Sequence, residues 1–151
     1  MALSTTQSIW RSGGGDQTRT AYCGSGMMAA QFYVADASSG PPVNVKISSA
    51  VGAPNLILPA GAVVVAVAIN DAGAGSIDLG TLGYTTGTPN AQFIANNLSV
   101  ASTGTVTAGV SNNATTEMSY VTVKNDTSGS GTVGGYLLYF VADPLVGQQN
   151  D

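Results

Sequence analysis

Along most of this chain, apolar and polar positions alternate with period two in short stretches, and Gly, Ser, Thr, Asn and Pro separate the stretches. That is the signature of strands joined by turns. Gln31 to Ala35 (QFYVA) is the first. After Gly40-Pro41-Pro42, Val43 to Ser49 (VNVKISS) alternates, with Val43, Val45 and Ile47 inward and Asn44, Lys46 and Ser48 outward. Val63 to Asn70 is a longer strand, rich in the β-branched residues that a pleated surface favours. Its phase puts Val63, Val65, Val67 and Ile69 on a bulky face suited to a core. Val64, Ala66, Ala68 and Asn70 fall on a thinner face that is still largely apolar. The break Asp71-Ala72-Gly73-Ala74-Gly75 and the return at Ser76 to Leu79 (SIDL) predict a hairpin. Further strands are expected at Thr105 to Ser111, Met118 to Lys124 and Thr132 to Ala142.

Two of these segments ask for more cover than one core supplies. Residues 56 to 71 read LILPAGAVVVAVAIND, but the unbroken apolar run from Ala60 to Ile69 is far shorter than the roughly 20 residues of a membrane helix. The thinner face at Val64, Ala66 and Ala68 is therefore expected to lie under a loop of the same chain or against a neighbouring subunit. The closing stretch TVGGYLLYFVA is apolar on both faces: Leu137, Tyr139 and Val141 point one way, Tyr136, Leu138 and Phe140 the other. Such a strand belongs in the middle of a sheet or at an interface. One short helix is predicted over Asn90 to Leu98, with Thr88 as N-cap, Pro89 as first helical residue, and Phe93, Ile94, Asn97 and Leu98 near one face. Together these elements predict an all-β domain, an antiparallel β-sandwich or jelly roll, over residues 21–151. Residues 1–20, with the glycine hinge Gly13 to Gly15, read as an extended N-terminal arm. Ile9 and Trp10 are its apolar points, to be docked on another subunit or on the arm's own domain.

Composition narrows the function. Only 8% of residues are charged, against roughly 25% in ordinary globular proteins. Few charges keep copies of such a surface apart, which favours association. The net charge is −4 and the four cations, Arg11, Arg19, Lys46 and Lys124, are scattered, so no nucleic-acid partner is expected. The lone Cys23 excludes an intrachain disulfide. The N-terminus has no charged start followed by an apolar run, so a Sec signal peptide is not expected. With no histidine, the usual base for a Ser or Cys nucleophile and the usual zinc ligand are missing, and we expect no enzyme and no cofactor. Asn70, Asp71 and Asp78 around a glycine-rich turn are candidate calcium ligands, though six to eight oxygens are needed and no EF-hand loop is present. Tyr84, Tyr120, Tyr136 and Tyr139 could line a sugar platform, or serve packing.

The block LPAGAVVVAVAIND, then SIDLGT, then Thr88-Pro89-Asn90-Ala91-Gln92-Phe93-Ile94, resembles the β-rich capsid decoration, or cement, proteins of tailed bacteriophages. The resemblance covers roughly residues 56 to 98. It implies a structural virion protein, made in the host cytoplasm, that binds the outside of a phage head. The implied partners are the major capsid protein and further copies of the chain, often as a homotrimer; no membrane is involved. Residue patterns place the candidate interface at Ile9, Trp10, Val64, Ala66, Ala68 and Tyr136. The alternative is a carbohydrate- or receptor-binding β-sandwich module of a phage tail or cell-surface assembly.

Overall fold

The computed structural model describes residues 27–72, 75–99, 105–107, 110–127 and 130–141. The arm and its hinge, Ile9, Trp10 and Cys23 lie outside the described residues. Within them the backbone forms β1 (Met28–Ser38), β2 (Val43–Asn44), β3 (Ile57–Leu58), β4 (Ala62–Ala72), β5 (Ser76–Gly83), β6 (Pro89–Ser99), β7 (Thr105–Thr107), β8 (Ser119–Asn125) and β9 (Ser130–Val141). All pairing is antiparallel. One sheet has the order β1-β9-β4-β7 and the other β2-β8-β5-β6, with β3 in line with β2 on the same edge of β8.

The order follows one rule. Leaving β3 aside, the first strand pairs with the last, the second with the next to last, and so on inward: β1 with β9, β2 with β8, β4 with β7, and β5 with β6. Each pair is nested inside the one before. This is a long hairpin rolled into two layers, the jelly-roll arrangement of two Greek keys. The inner faces meet in one core that takes Phe32, Val34, Val64, Val67, Ile69 and Leu137 from the first sheet and Leu58, Ile77, Leu79, Val121 and Val123 from the second.

Pairing corrects the expected hairpin of Val63–Asn70 with Ser76–Leu79. β4 and β5 lie in different sheets, and the connection between them crosses from one layer to the other. The expected strand Val43–Ser49 shortens to β2; Val45 is buried, but Ile47 is exposed beyond an isolated bridge in which Lys46 pairs with both Tyr33 and Asn55.

Bulges and irregularities in three strands, β4, β1 and β6, account for the remaining differences. In β4, Val64 and Ala66 pair with the consecutive residues Tyr139 and Leu138, so Val65 is an extra residue. A bulge moves every following side chain to the other face. Ala62 and Val64 point into the core before it, Val67 and Ile69 after it. The faces read from uninterrupted alternation thus fail before Val65: Val64 belongs to the core, while Val63 turns to the side of Phe140 and is buried there, at 9% exposure, next to its bridge partner Ala114. In β1, three residues from Val34 to Ala37 match two from Val133 to Gly131, which returns Ala37 to the core.

The third bulged strand replaces the predicted helix. Residues 90–98 are part of β6, paired with β5. Between Ala95 and Leu98, three steps of β6 match two of β5, and Asn97 turns the chain at φ 52°. The buried residues are Ile94, Ala95 and Leu98. That i, i+1, i+4 spacing imitates a helix face, but it comes from alternation broken by the irregularity.

Two local features set where the sheets can lie. Pro59-Ala60-Gly61-Ala62 forms a turn at the entrance to β4, closed by the Ala62 N–H on the Pro59 carbonyl at 3.3 Å. Gly61 sits at φ 80°, a left-handed conformation that costs glycine least. Thr115 pins this turn: its hydroxyl donates to the Pro59 carbonyl at 2.6 Å and accepts from the Ala62 N–H at 3.0 Å. Gly135, in the middle of β9, allows β4 to approach, because a Cβ there would stand 1.9 Å from the Ala68 carbonyl oxygen. Since that obstacle is backbone, Gly135→Ala is expected to lower stability by about 3 kcal/mol in urea unfolding. Gly40→Ala, whose Cβ would meet only the Ser38 hydroxyl at 3.4 Å, is expected to leave the midpoint nearly unchanged.

Candidate functional site

The two outward faces of the sandwich differ in chemistry. On the β2-β8-β5-β6 sheet, Asp78, Gly80 and Leu82 of β5 pair with Lys124, Thr122 and Tyr120 of β8. This face carries charge and is partly covered by β6: a Cβ on Gly80 would meet the Asn90 carbonyl oxygen at 2.2 Å. Asp78 is buried, at 2% exposure, and its carboxylate accepts from the Asn97 N–H at 2.8 Å and from Gln92 Nε2 at 3.2 Å. It therefore holds the bulged part of β6 against β5. The sequence grouped Asp78 with Asn70 and Asp71 as calcium candidates; here its lone pairs serve β6. Asn70 and Asp71 lie in β4, and no group of three or more His, Cys, Asp or Glu suited to a metal occurs among the described residues.

The β1-β9-β4 face is different. Residues 28–34, 62–69 and 133–141 contain no charged residue. Cross-strand partners share a face, so Val63 lies beside Phe140, Ala66 beside Leu138, and Ala68 beside Tyr136. Ala29 and Gln31 of β1 extend these rows on the other side of Leu138 and Tyr136. Small residues on β4 thus alternate with large ones on β9 across the face. Tyr136 is 41% exposed, while Leu138, Phe140, Ala66 and Ala68 are half-buried. No helix among the described residues is long and apolar enough to cross a membrane.

Of the residues read from the sequence as interface, Ala66, Ala68 and Tyr136 come together on this face. Val64 is the correction: at 4% exposure it packs in the core. Ile9 and Trp10 lie outside the described residues. Val63 lies on the side of Phe140 but is buried, so it adds nothing to the accessible face; Leu138 and Phe140 were legible from their phase with Tyr136. The four tyrosines do not make one platform. Tyr84 and Tyr120 meet in a tilted contact with ring centroids 5.4 Å apart, Tyr136 sits on the opposite sheet, and Tyr139 packs against the core.

A second feature left no mark in the spacing of the sequence. Where β5 ends at Gly83, a cleft of about 290 Å³ opens between that turn, β6 and residues 115–119. Glu117 organises its rim. Its carboxylate accepts from the Thr85 N–H at 2.9 Å, the Thr86 N–H at 3.3 Å and the Thr86 hydroxyl. Gly83 leaves the space it needs, since a Cβ there would stand 2.4 Å from Glu117 Oε1.

The Thr86 hydroxyl first, and then the Thr85 N–H, hold the Glu117 carboxyl below its ordinary value of 4.5. A carboxyl lowered in the folded state adds stability above its unfolded value, and that stability is lost as pH falls through the folded value. Glu117→Gln is therefore expected to lower the thermal midpoint by a constant amount from neutral pH down to about pH 5, with the gap to wild type closing under more acidic conditions. Melting curves of both proteins across that range provide the check. Comparisons of the chain with protein-family models, curated proteins and solved structures found no match.

Proposed function

We propose that this chain is a structural virion protein, a capsid decoration subunit that binds the outer surface of a phage head and stabilises it through subunit contacts. The observation that carries the reading is the uncharged outer face of β4 and β9, where Ala66, Ala68, Tyr136, Leu138 and Phe140 form adjoining apolar rows. Contiguous apolar surface of this kind marks an interaction site. Isolated exposed apolar residues would need no explanation, but rows along two paired strands do.

The proposed occupant of this face is a further copy of the chain, in a homotrimer. Such an interface needs little charge complementarity, and the face supplies none. The protein's low overall charge offers little repulsion between copies. The major capsid protein is the second partner, and the capsid surface the proposed location. This part rests on the resemblance of residues 56 to 98 to decoration proteins. Jelly rolls build viral shells but serve other functions too, so the fold adds compatibility rather than proof. The role is architectural and not catalytic.

In sedimentation at micromolar concentration, the wild-type chain is expected to run as a trimer and to bind phage heads that lack it. Tyr136→Lys places a charge on the exposed part of the face and is expected to weaken association by about a hundredfold, with an unchanged circular dichroism spectrum. Leu138→Asp should act in the same direction. A wild-type monomer with no affinity for heads would overturn the reading.

A further inference from the structure

The cleft beside Glu117 is built from polar side chains whose hydrogen-bonding capacity is only partly used. Eight of its ten lining residues end in a hydroxyl, an amide or a carboxylate. Some of these groups are committed to the fold. Thr115 pins the turn before β4, the Thr86 hydroxyl is bound to Glu117 and accepts from the Thr88 N–H, and the Ser119 hydroxyl donates to the Glu117 carbonyl. The hydroxyls of Thr81, Thr88 and Thr116 have no hydrogen bond to any described residue. Thr81 is the informative one. The residue is 7% exposed, yet its hydroxyl has no protein partner and lines the cleft. No buried side-chain oxygen among the described residues is left without a partner, so this hydroxyl is reached by solvent, and a ligand hydroxyl can take the place of that water.

Glu117 adds a strong acceptor. A carboxylate offers about four lone-pair sites, and three are taken by Thr85 and Thr86, which leaves one for a donor from outside. Phe93 supplies the one aromatic wall.

We propose that this cleft binds one neutral sugar ring, with the ring's apolar face against Phe93 and its hydroxyls hydrogen-bonded to Thr81, Thr88, Thr116 and Glu117. Dense neutral hydroxyls on the ligand match dense neutral hydroxyls on the wall, each acting as donor and acceptor. An anionic ligand does not fit, because the only charge lining the cleft is negative. A calcium ion would need six to eight oxygens, and Glu117 is the only carboxylate present. An apolar ligand would leave the free hydroxyls unpaired. The volume lies at the small end of the roughly 300–1,000 Å³ of small-molecule pockets, which suits a single ring. This inference does not depend on the assembly reading, since no residue of the apolar rows lines the cleft.

The test is a titration of the full chain, followed by NMR, with glucose, galactose, mannose and N-acetylglucosamine, and with glucuronate as the anionic probe. At least one neutral sugar is expected to cause saturable shifts at residues 81–93 and 115–119, with a dissociation constant on the order of 1–10 mM. Thr81→Val and Thr116→Val keep the shape but remove a hydroxyl, and each is expected to weaken that binding about three- to tenfold. Thr127→Val, away from the cleft, should leave it unchanged. Absence of saturable shifts up to about 100 mM of every neutral sugar, glucuronate binding more tightly than glucose, or binding that survives the Thr81→Val/Thr116→Val double variant would each overturn the proposal.

Discussion

The hydrogen-bonding of β9 along both its edges is the constraint on which the rest of the molecule depends. It pairs with β1 from Met28 to Ser38 and with β4 from Ala62 to Ala72, so the first sheet has no continuity without it. Its inward residues Val133 and Leu137 fill the core, and its outward residues form half of the uncharged face. A strand buried on one side and apolar on both cannot be polar anywhere along its centre, which explains the sequence GGYLLYFV. Gly135 is part of the same constraint, because there the Ala68 carbonyl already occupies the space of a side chain.

Alternation in the sequence revealed most of the strands and the fold class, and failed where the backbone inserts an extra residue. Period-two patterns are legible because side chains alternate strictly, but a bulge resets the phase without changing the composition. In β4 a run of valines and alanines hides the reset, since either phase looks apolar. Val64 therefore read as surface, although it lies in the core. In β6 two resets turn alternation into a spacing that Thr88-Pro89 makes look helical, and strand pairing with β5 overrides that local signal. The crossing between β4 and β5 was illegible for another reason: a turn-rich break does not say which sheet the chain enters next.

Candidate sites were legible to different degrees. Tyr136, Leu138 and Phe140 declare a common face by their spacing, and the lack of charge nearby is plain in the sequence. The Glu117 cleft joins residues from 81 to 119 that no motif connects. It exists because the fold brings the turn after β5 against the residues that lead into β8, with Glu117 satisfying the amides of that turn. Asp78 shows the converse. A carboxylate that looks free in sequence is buried and occupied by β6.

The nested order of strand pairs also fixes when each strand finds its neighbours as the chain leaves the ribosome. β5 and β6 meet early, being close in sequence. β4 emerges before them, yet its partner along most of its length, β9, is made only after β5 to β8. At roughly 5–20 residues per second, the valine-rich strand waits several seconds without its sheet. During that interval an unpaired strand with a single charge, Asp71, near its end is at its most adhesive, and little electrostatic repulsion protects it. The stretch of synthesis between β4 and β9 is therefore when the chain is most open to association.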